Sequence, residues 1–126
     1  MNADPSEYHY RLALIADRRK QYKDAEEQLR RSVELAPRQV GHLIELAKFL
    51  ARTGRYAQSD DTFVQAEKMA PDNTQLMFER AKTYIRTGRR LQEAQMLLQR
   101  YLGSPLSPDD PPRSEAEQLL KQAGST

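Results

Sequence analysis

Leu46-Ala47-Lys48-Phe49-Leu50-Ala51-Arg52-Thr53-Gly54-Arg55-Tyr56 is the stretch that decides the fold, because the chain repeats it. Its turn, Arg52-Thr53-Gly54-Arg55, returns 34 residues later as Arg86-Thr87-Gly88-Arg89. At the same spacing Pro37 maps to Pro71, each preceded by Ala (Ala36, Ala70), and Tyr22 maps to Tyr56. Ala13 maps to Ala47 and Ala81, Leu12 to Leu46, Leu29 to Phe63 and Ser32 to Ala66. Past Gly88 the third copy gains one residue, so Leu91, Ala94, Leu98 and Tyr101 answer Tyr56, Ser59, Phe63 and Ala66 at spacing 35. A fixed period of this length marks a stacked repeat architecture, in which one unit cannot bury its own apolar face.

Apolar residues inside each copy follow helical spacing. Leu12, Ala13 and Ala16, headed by His9, form one stripe, and Leu43, Leu46, Ala47 and Leu50 form its counterpart. A second stripe follows in each copy: Ala25, Leu29 and Ser32, then Phe63 and Ala66, then Ala94, Leu98 and Tyr101. Asp4-Pro5-Ser6-Glu7 reads as an N-cap with Pro at the first helical position, and Asp72-x-x-Gln75 as its equivalent in the third copy. Gly54 and Gly88 suit turns that need positive φ, and Pro37 and Pro71 stop the second helices. The pattern predicts helices over 5–19, 22–35, 40–53, 56–69, 74–87 and 91–102.

Composition narrows the function. The 126 residues hold 38% hydrophobic and 30% charged residues, five Gly, no Trp and no Cys. No run approaches the about 18 apolar residues of a spanning helix. Twenty Lys+Arg against 18 Asp+Glu leave +2, too balanced for a dedicated nucleic-acid binder. The absence of Cys excludes disulfides, thiolate zinc sites and cysteine catalysis. No leader is visible, which fits a cytoplasmic protein, or a periplasmic one whose leader has been removed.

The pattern of a large residue, then Leu-Ala, then a second Ala-x-x-x-large and a closing Pro resembles the tetratricopeptide repeat, or TPR. Copy two carries it at Leu43, Leu46, Ala47, Leu50, Gly54, Tyr56, Ser59, Phe63, Ala66 and Pro71. Copy one departs at His9, Ala16 and Lys20, and copy three at Arg80, where a buried Leu is usual. The resemblance implies an all-α superhelix, or solenoid, of three helix pairs over about 6–39, 40–73 and 74–108. It makes residues 1–126 a single domain. It also implies a non-catalytic scaffold that binds a peptide or protein segment on the concave side lined by the first helices. The other reading is a structural segment of a longer repeat protein, with no ligand of its own.

Beyond Gly103, Pro105, Pro108, Pro111 and Pro112 among Ser and Asp suggest a stiff linker. A seventh helix over about 111–123 follows, with Asp110 as its cap and Pro111 at its first position. Ala116, Leu119, Leu120 and Ala123 share one face, as a helix closing the end of a stack requires. Such a closing helix reads as a C-terminal end, while the start leaves room for an extension.

Chemistry is sparse. His9 answers Leu43 and Met77, whereas His42 answers Tyr8 and Leu76, so the two differ by about 100° around the helix and do not share a metal. His9 reads as a packing residue and His42 as an ordinary helix-start histidine. Glu26/Glu27 and Asp60/Asp61 are adjacent and do not face each other. No catalytic residue, metal site or cofactor is expected.

Positions that recur without being needed for the signature are the binding candidates. Tyr10, Ile44 and Phe78 form an apolar ladder, read either as groove residues or as packing between neighbouring first helices. One turn on come Leu14, Lys48 and Lys82, and a further turn on Arg18, Arg52 and Arg86. With Arg19, Lys20, Lys23, Arg55, Arg89 and Arg90 these arginines would make a basic rim along the turns. The expected partner is a protein or peptide with apolar and acidic residues. The resemblance excludes one subfamily. The family's clamp for acidic chaperone tails needs Lys, Asn and Arg at positions held here by Tyr10, Leu14, Glu45, Gln75 and Glu79.

Overall fold

The computed structural model describes residues 4–124. These form seven α-helices and no strand: α1 (Pro5–Arg18), α2 (Tyr22–Leu35), α3 (Val40–Arg52), α4 (Tyr56–Met69), α5 (Thr74–Thr87), α6 (Leu91–Leu102) and α7 (Arg113–Gly124). The fold class is an all-α helical-repeat solenoid with a closing helix. Six helices match the periodic pattern to within one residue.

The repeat is visible in the backbone hydrogen bonds. Each first helix ends with the same pair: Lys20, Gly54 and Gly88 donate to Asp17, Ala51 and Ile85, and Gln21, Arg55 and Arg89 donate to Ala16, Leu50 and Tyr84. That is the Schellman arrangement, which needs one residue in the left-handed region. Gly54 (φ 82°) and Gly88 (φ 65°) take it freely, and Lys20 is held there at φ 60°. The added residue of the third copy sits at Arg90, also left-handed at φ 50°, so that α6 starts one position late.

Capping corrects the sequence reading in two places. Asp4 caps α1 as expected, accepting from the Ser6 N–H, with Pro5 next. The cap of α5 is Asn73, whose side chain accepts from Leu76 N–H, and not Asp72. Nor does Asp110 cap the seventh helix, which begins two residues later than expected. Its carboxylate is taken by the Ser107 N–H and by the Thr74 hydroxyl. Pro111 precedes another proline, which disfavours α geometry there, so the first turn opens from the Pro112 carbonyl.

Two compact units divide the chain after Met69. In the first, α1 packs on α2, α2 on α3 and α3 on α4. Ala13, Ala16, Ala25, Leu29, Leu46, Phe49 and Leu50 form its buried cluster. The invariant small positions let the helices close: Ala47 is fully buried, and the buried Ser59 hydroxyl donates to the Ala47 carbonyl at 2.7 Å.

In the second unit α5 packs on α6, and α7 lies against both. Met77, Phe78, Ala81, Tyr84, Leu98, Tyr101, Ala116 and Leu119 share one cluster, with Leu106 and Leu120 partly buried at its edge. The segment before α7 is stitched down. Tyr101 donates to the Pro111 carbonyl at 2.6 Å, and Gln95 donates to that of Ala123. Arg80, in place of the usual Leu, is buried but satisfied: Nε donates to the Tyr84 hydroxyl at 3.0 Å and Nη2 meets Glu93 at 3.0 Å.

Candidate functional site

Helix geometry sorts the recurrent positions. On α1, residues 10 and 14 lie four apart and so about 40° apart around the axis. That offset decides which can meet a ligand. Tyr10 is half-buried and stacks on the His42 ring of α3, with centroids 4.6 Å apart and planes at 21°. Burial, with Glu45 and Glu7 nearby, pushes its hydroxyl pKa up to about 12. Ile44, its counterpart on α3, is 0% exposed. Phe78, its counterpart on α5, is 1% exposed and packs on Tyr101 at 5.3 Å within the cluster that α7 completes. The expectation of an apolar ladder open to a ligand is therefore corrected at Ile44 and Phe78. Both side chains are buried, and Phe78 lies against Tyr101 of α6.

The next positions differ. Leu14, Lys48 and Lys82 are partly exposed. Lys48 Nζ lies 3.2 Å from Glu45, one turn back on α3. Lys82 Nζ lies 3.7 Å from Glu115 of α7 and 5.7 Å from the centre of the Phe78 ring. Each lysine is thus paired on its own surface, at the modest strength of a solvated ion pair. Arg18, Arg52 and Arg86 are exposed at the ends of their helices. Arg52 donates to Asp17 at 2.7 Å and lies over the Phe49 ring.

Much of the expected basic rim is neutralised. Arg55 binds both carboxylate oxygens of Glu26, at 2.8 and 2.7 Å. Those hydrogen bonds, with Arg30 adding its own, hold the Glu26 pKa down at about 2. Arg90 meets Glu93 at 3.4 Å. What stays without an ion pair among the described residues is Arg18, Arg19, Lys20 and Lys23 around the first turn, and Arg86 at the end of α5.

Sequence reading missed His42. It is 3% exposed, with Nε2 3.6 Å from Glu7 and Nδ1 buried without a hydrogen-bond partner. It is not an ordinary helix-start histidine but part of the packing between α1 and α3. His9 is partly buried as expected, and its Nδ1 lies 2.6 Å from the Gln28 amide oxygen. The signal that could have found these links is the period itself. Glu7–His42 and Asp17–Arg52 are both separated by 35 residues, one more than the repeat.

Among the described residues no three His, Cys, Asp or Glu side chains gather in a way that could hold a metal. No helix there is long and apolar enough to cross a membrane.

Comparison with known proteins places this arrangement. Two family models described as the tetratricopeptide repeat match residues 6–39 and 43–111. No curated protein sequence matches the chain. Among solved structures it is similar to the first TPR of Spaghetti (RPAP3) bound to an HSP90 peptide, with TM-score 0.78, 15% identity, and 99% of this chain and 94% of that one covered. It is also similar to the Yersinia enterocolitica type III secretion chaperone SycD in complex with a peptide of the translocator YopD, with TM-score 0.75, 19% identity, and 98% and 95% covered. A third is YrrB, a TPR protein with an unusual peptide-binding site, with TM-score 0.69, 19% identity, and 99% and 59% covered. With the 34-residue period, the three Schellman turns and family models spanning most of its length, this chain belongs to the tetratricopeptide repeat family.

Proposed function

We propose that this chain is a non-catalytic scaffold that binds a peptide or protein segment along the exposed sides of its first helices. The observation that carries this reading is the recurrence of accessible residues that packing does not require. Lys48 on α3 and Lys82 on α5 occupy one register position, with Arg52 and Arg86 a turn further on. On α1 the same positions hold Leu14 and Arg18, next to the half-buried Tyr10. Likeness to peptide-bound TPR proteins supports the reading at the level of the fold. The ligand is acidic with some apolar residues, since Leu14 and Tyr10 offer apolar area and Arg18, Lys48 and Arg52 offer positive charge. Positions used by the family's clamp for chaperone tails hold Tyr10, Leu14, Glu45, Gln75 and Glu79, so a tail of that kind is not the ligand.

A library of fluorescent peptides that combine leucine with aspartate and glutamate tests this by anisotropy. Binding should weaken with salt and fall about tenfold or more in Lys48→Glu, whose reversed charge repels the ligand in the bound state as well as during approach. The melting temperature should stay close to wild type, because a partly solvated ion pair such as Lys48–Glu45 contributes little to stability. Binding that ignores Lys48→Glu would end the proposal for this surface.

A further inference from the structure

The chain carries its own template for a second, separate docking surface on the outer side of α1. By the 34-residue period Tyr8 answers His42, Leu12 answers Leu46, Ile15 answers Phe49 and Arg18 answers Arg52. On α3 these positions are used. His42 and Phe49 are 3% and 2% exposed, and Leu46 and Phe49 share a cluster with Ala13, Ala16, Ala25 and Leu29 of the preceding helix pair. Arg52 donates to Asp17 of that pair at 2.7 Å. On α1 the same positions are open. Tyr8 is 56% and Ile15 46% exposed, Leu12 is only partly covered, and Arg18 makes no ion pair among the described residues. Large apolar groups on a solvent face, at helical spacing and beside uncommitted cations, mark an interaction surface.

We infer that the outer face of α1 receives an amphipathic helix pair from a partner polypeptide, one that presents small apolar residues to Tyr8, Leu12 and Ile15 and a carboxylate to Arg18. The chemistry of the occupant follows from the interface the chain already makes. There the pair α1–α2 offers alanines, one leucine and Asp17 to the face of α3 that corresponds to this one. Charge points the same way, since Arg19, Lys20 and Lys23 extend the positive field beyond Arg18. Neither the leading nor the last helix pair of a second copy fits as the occupant. The side of α1–α2 that would serve as donor is occupied by α3, and α5–α6 is covered by α7. This surface shares Arg18 with the peptide-binding face but is built on Tyr8, Leu12 and Ile15, which that face does not use.

A chain in which a second copy of residues 4–37 is inserted directly before Asp4 repeats every position at spacing 34, and so supplies such a helix pair as a tethered probe in the correct register. Repeat arrays gain stability from each neighbour interface. The tandem should therefore melt more than about 5 °C above the parent, with slower amide exchange in the original α1. Ile15→Lys in the original copy should cancel that rise, yet leave the parent chain's melt unchanged, because the side chain is half exposed there. Asp17→Asn in the added copy should remove part of the rise, and mainly at low salt. A tandem that melts with the parent, or that keeps its gain with Ile15→Lys, overturns the inference. So does a parent chain that sediments as a dimer and becomes monomeric with Ile15→Lys, since the occupant would then be a second copy.

Discussion

Tyr8 on α1 and Phe78 on α5 are both aromatic residues on first helices, yet one is 56% exposed and the other 1%. The first unit leaves the outer face of its leading helix bare and ties its helix pairs together with ion pairs, Asp17–Arg52 and Glu26–Arg55. The second unit instead draws α7 over α5 and α6, burying Phe78, Tyr84 and Tyr101, and holds a buried Arg80 against Glu93. One repeat pattern thus leads to two kinds of edge, and the difference lies in what covers each helix rather than in the helix itself.

The contrast is sharpest under truncation. Phe78→Ala should cost about 3–5 kcal/mol, the range for deleting a buried aromatic side chain. Tyr8→Ala should stay within about 0.5 kcal/mol, as surface changes do. Urea unfolding of the two variants measures both. Equal losses would mean that the two faces are covered alike.

Acid should separate the edges next. Glu26 has its pKa lowered to about 2 in the folded state, against about 4.5 when unfolded. Its contribution is complete above pH ~4.5 and disappears as pH falls towards ~2, on the order of 1–2 kcal/mol after allowance for its partial exposure. Arg55→Ala should remove most of that pH dependence while leaving stability above pH 5 reduced. Unfolding free energies measured across pH 2–7 for both proteins decide it. An unaltered acid limb in Arg55→Ala would reassign the effect.

The smallest effect is at the turns. Lys20 occupies the left-handed position that Gly54 and Gly88 fill in the other pairs. Lys20→Gly should raise stability by about 0.5–1 kcal/mol, the relief of a Cβ clash less the entropy that glycine loses on folding. Gly88→Lys should lower it by a similar amount. Thermal melts of the two should move in opposite directions.

These residues also show where the sequence was legible. Helix boundaries, small residues at close approaches and Gly54 and Gly88 are local or periodic requirements, and the period exposes them. Asp110 was misread because a capping signal counts only the residues that follow it, and its carboxylate is claimed by Thr74, 36 positions earlier. Ile44 and Phe78 were ambiguous for a deeper reason. Lateral packing and ligand contact both ask for a large apolar residue once per repeat, and only the neighbour that covers it tells them apart. The Glu26–Arg55 pair spans 29 residues, outside any helical window, so no local charge pattern announces it.

The placement of the tyrosines has a spectroscopic consequence. The chain has six Tyr and no Trp, so its intrinsic emission and much of its near-ultraviolet dichroism come from phenol rings. The two fully buried rings, Tyr84 and Tyr101, both belong to the second unit, whereas Tyr8, Tyr22 and Tyr56 in the first are exposed. Near-ultraviolet dichroism therefore monitors chiefly the loss of rigid packing around α5, α6 and α7, while the far-ultraviolet helix signal weighs all seven helices. Superimposable curves from the two wavelength regions would show the whole array melting as one cooperative body, and curves that part company would date the loss of each unit separately.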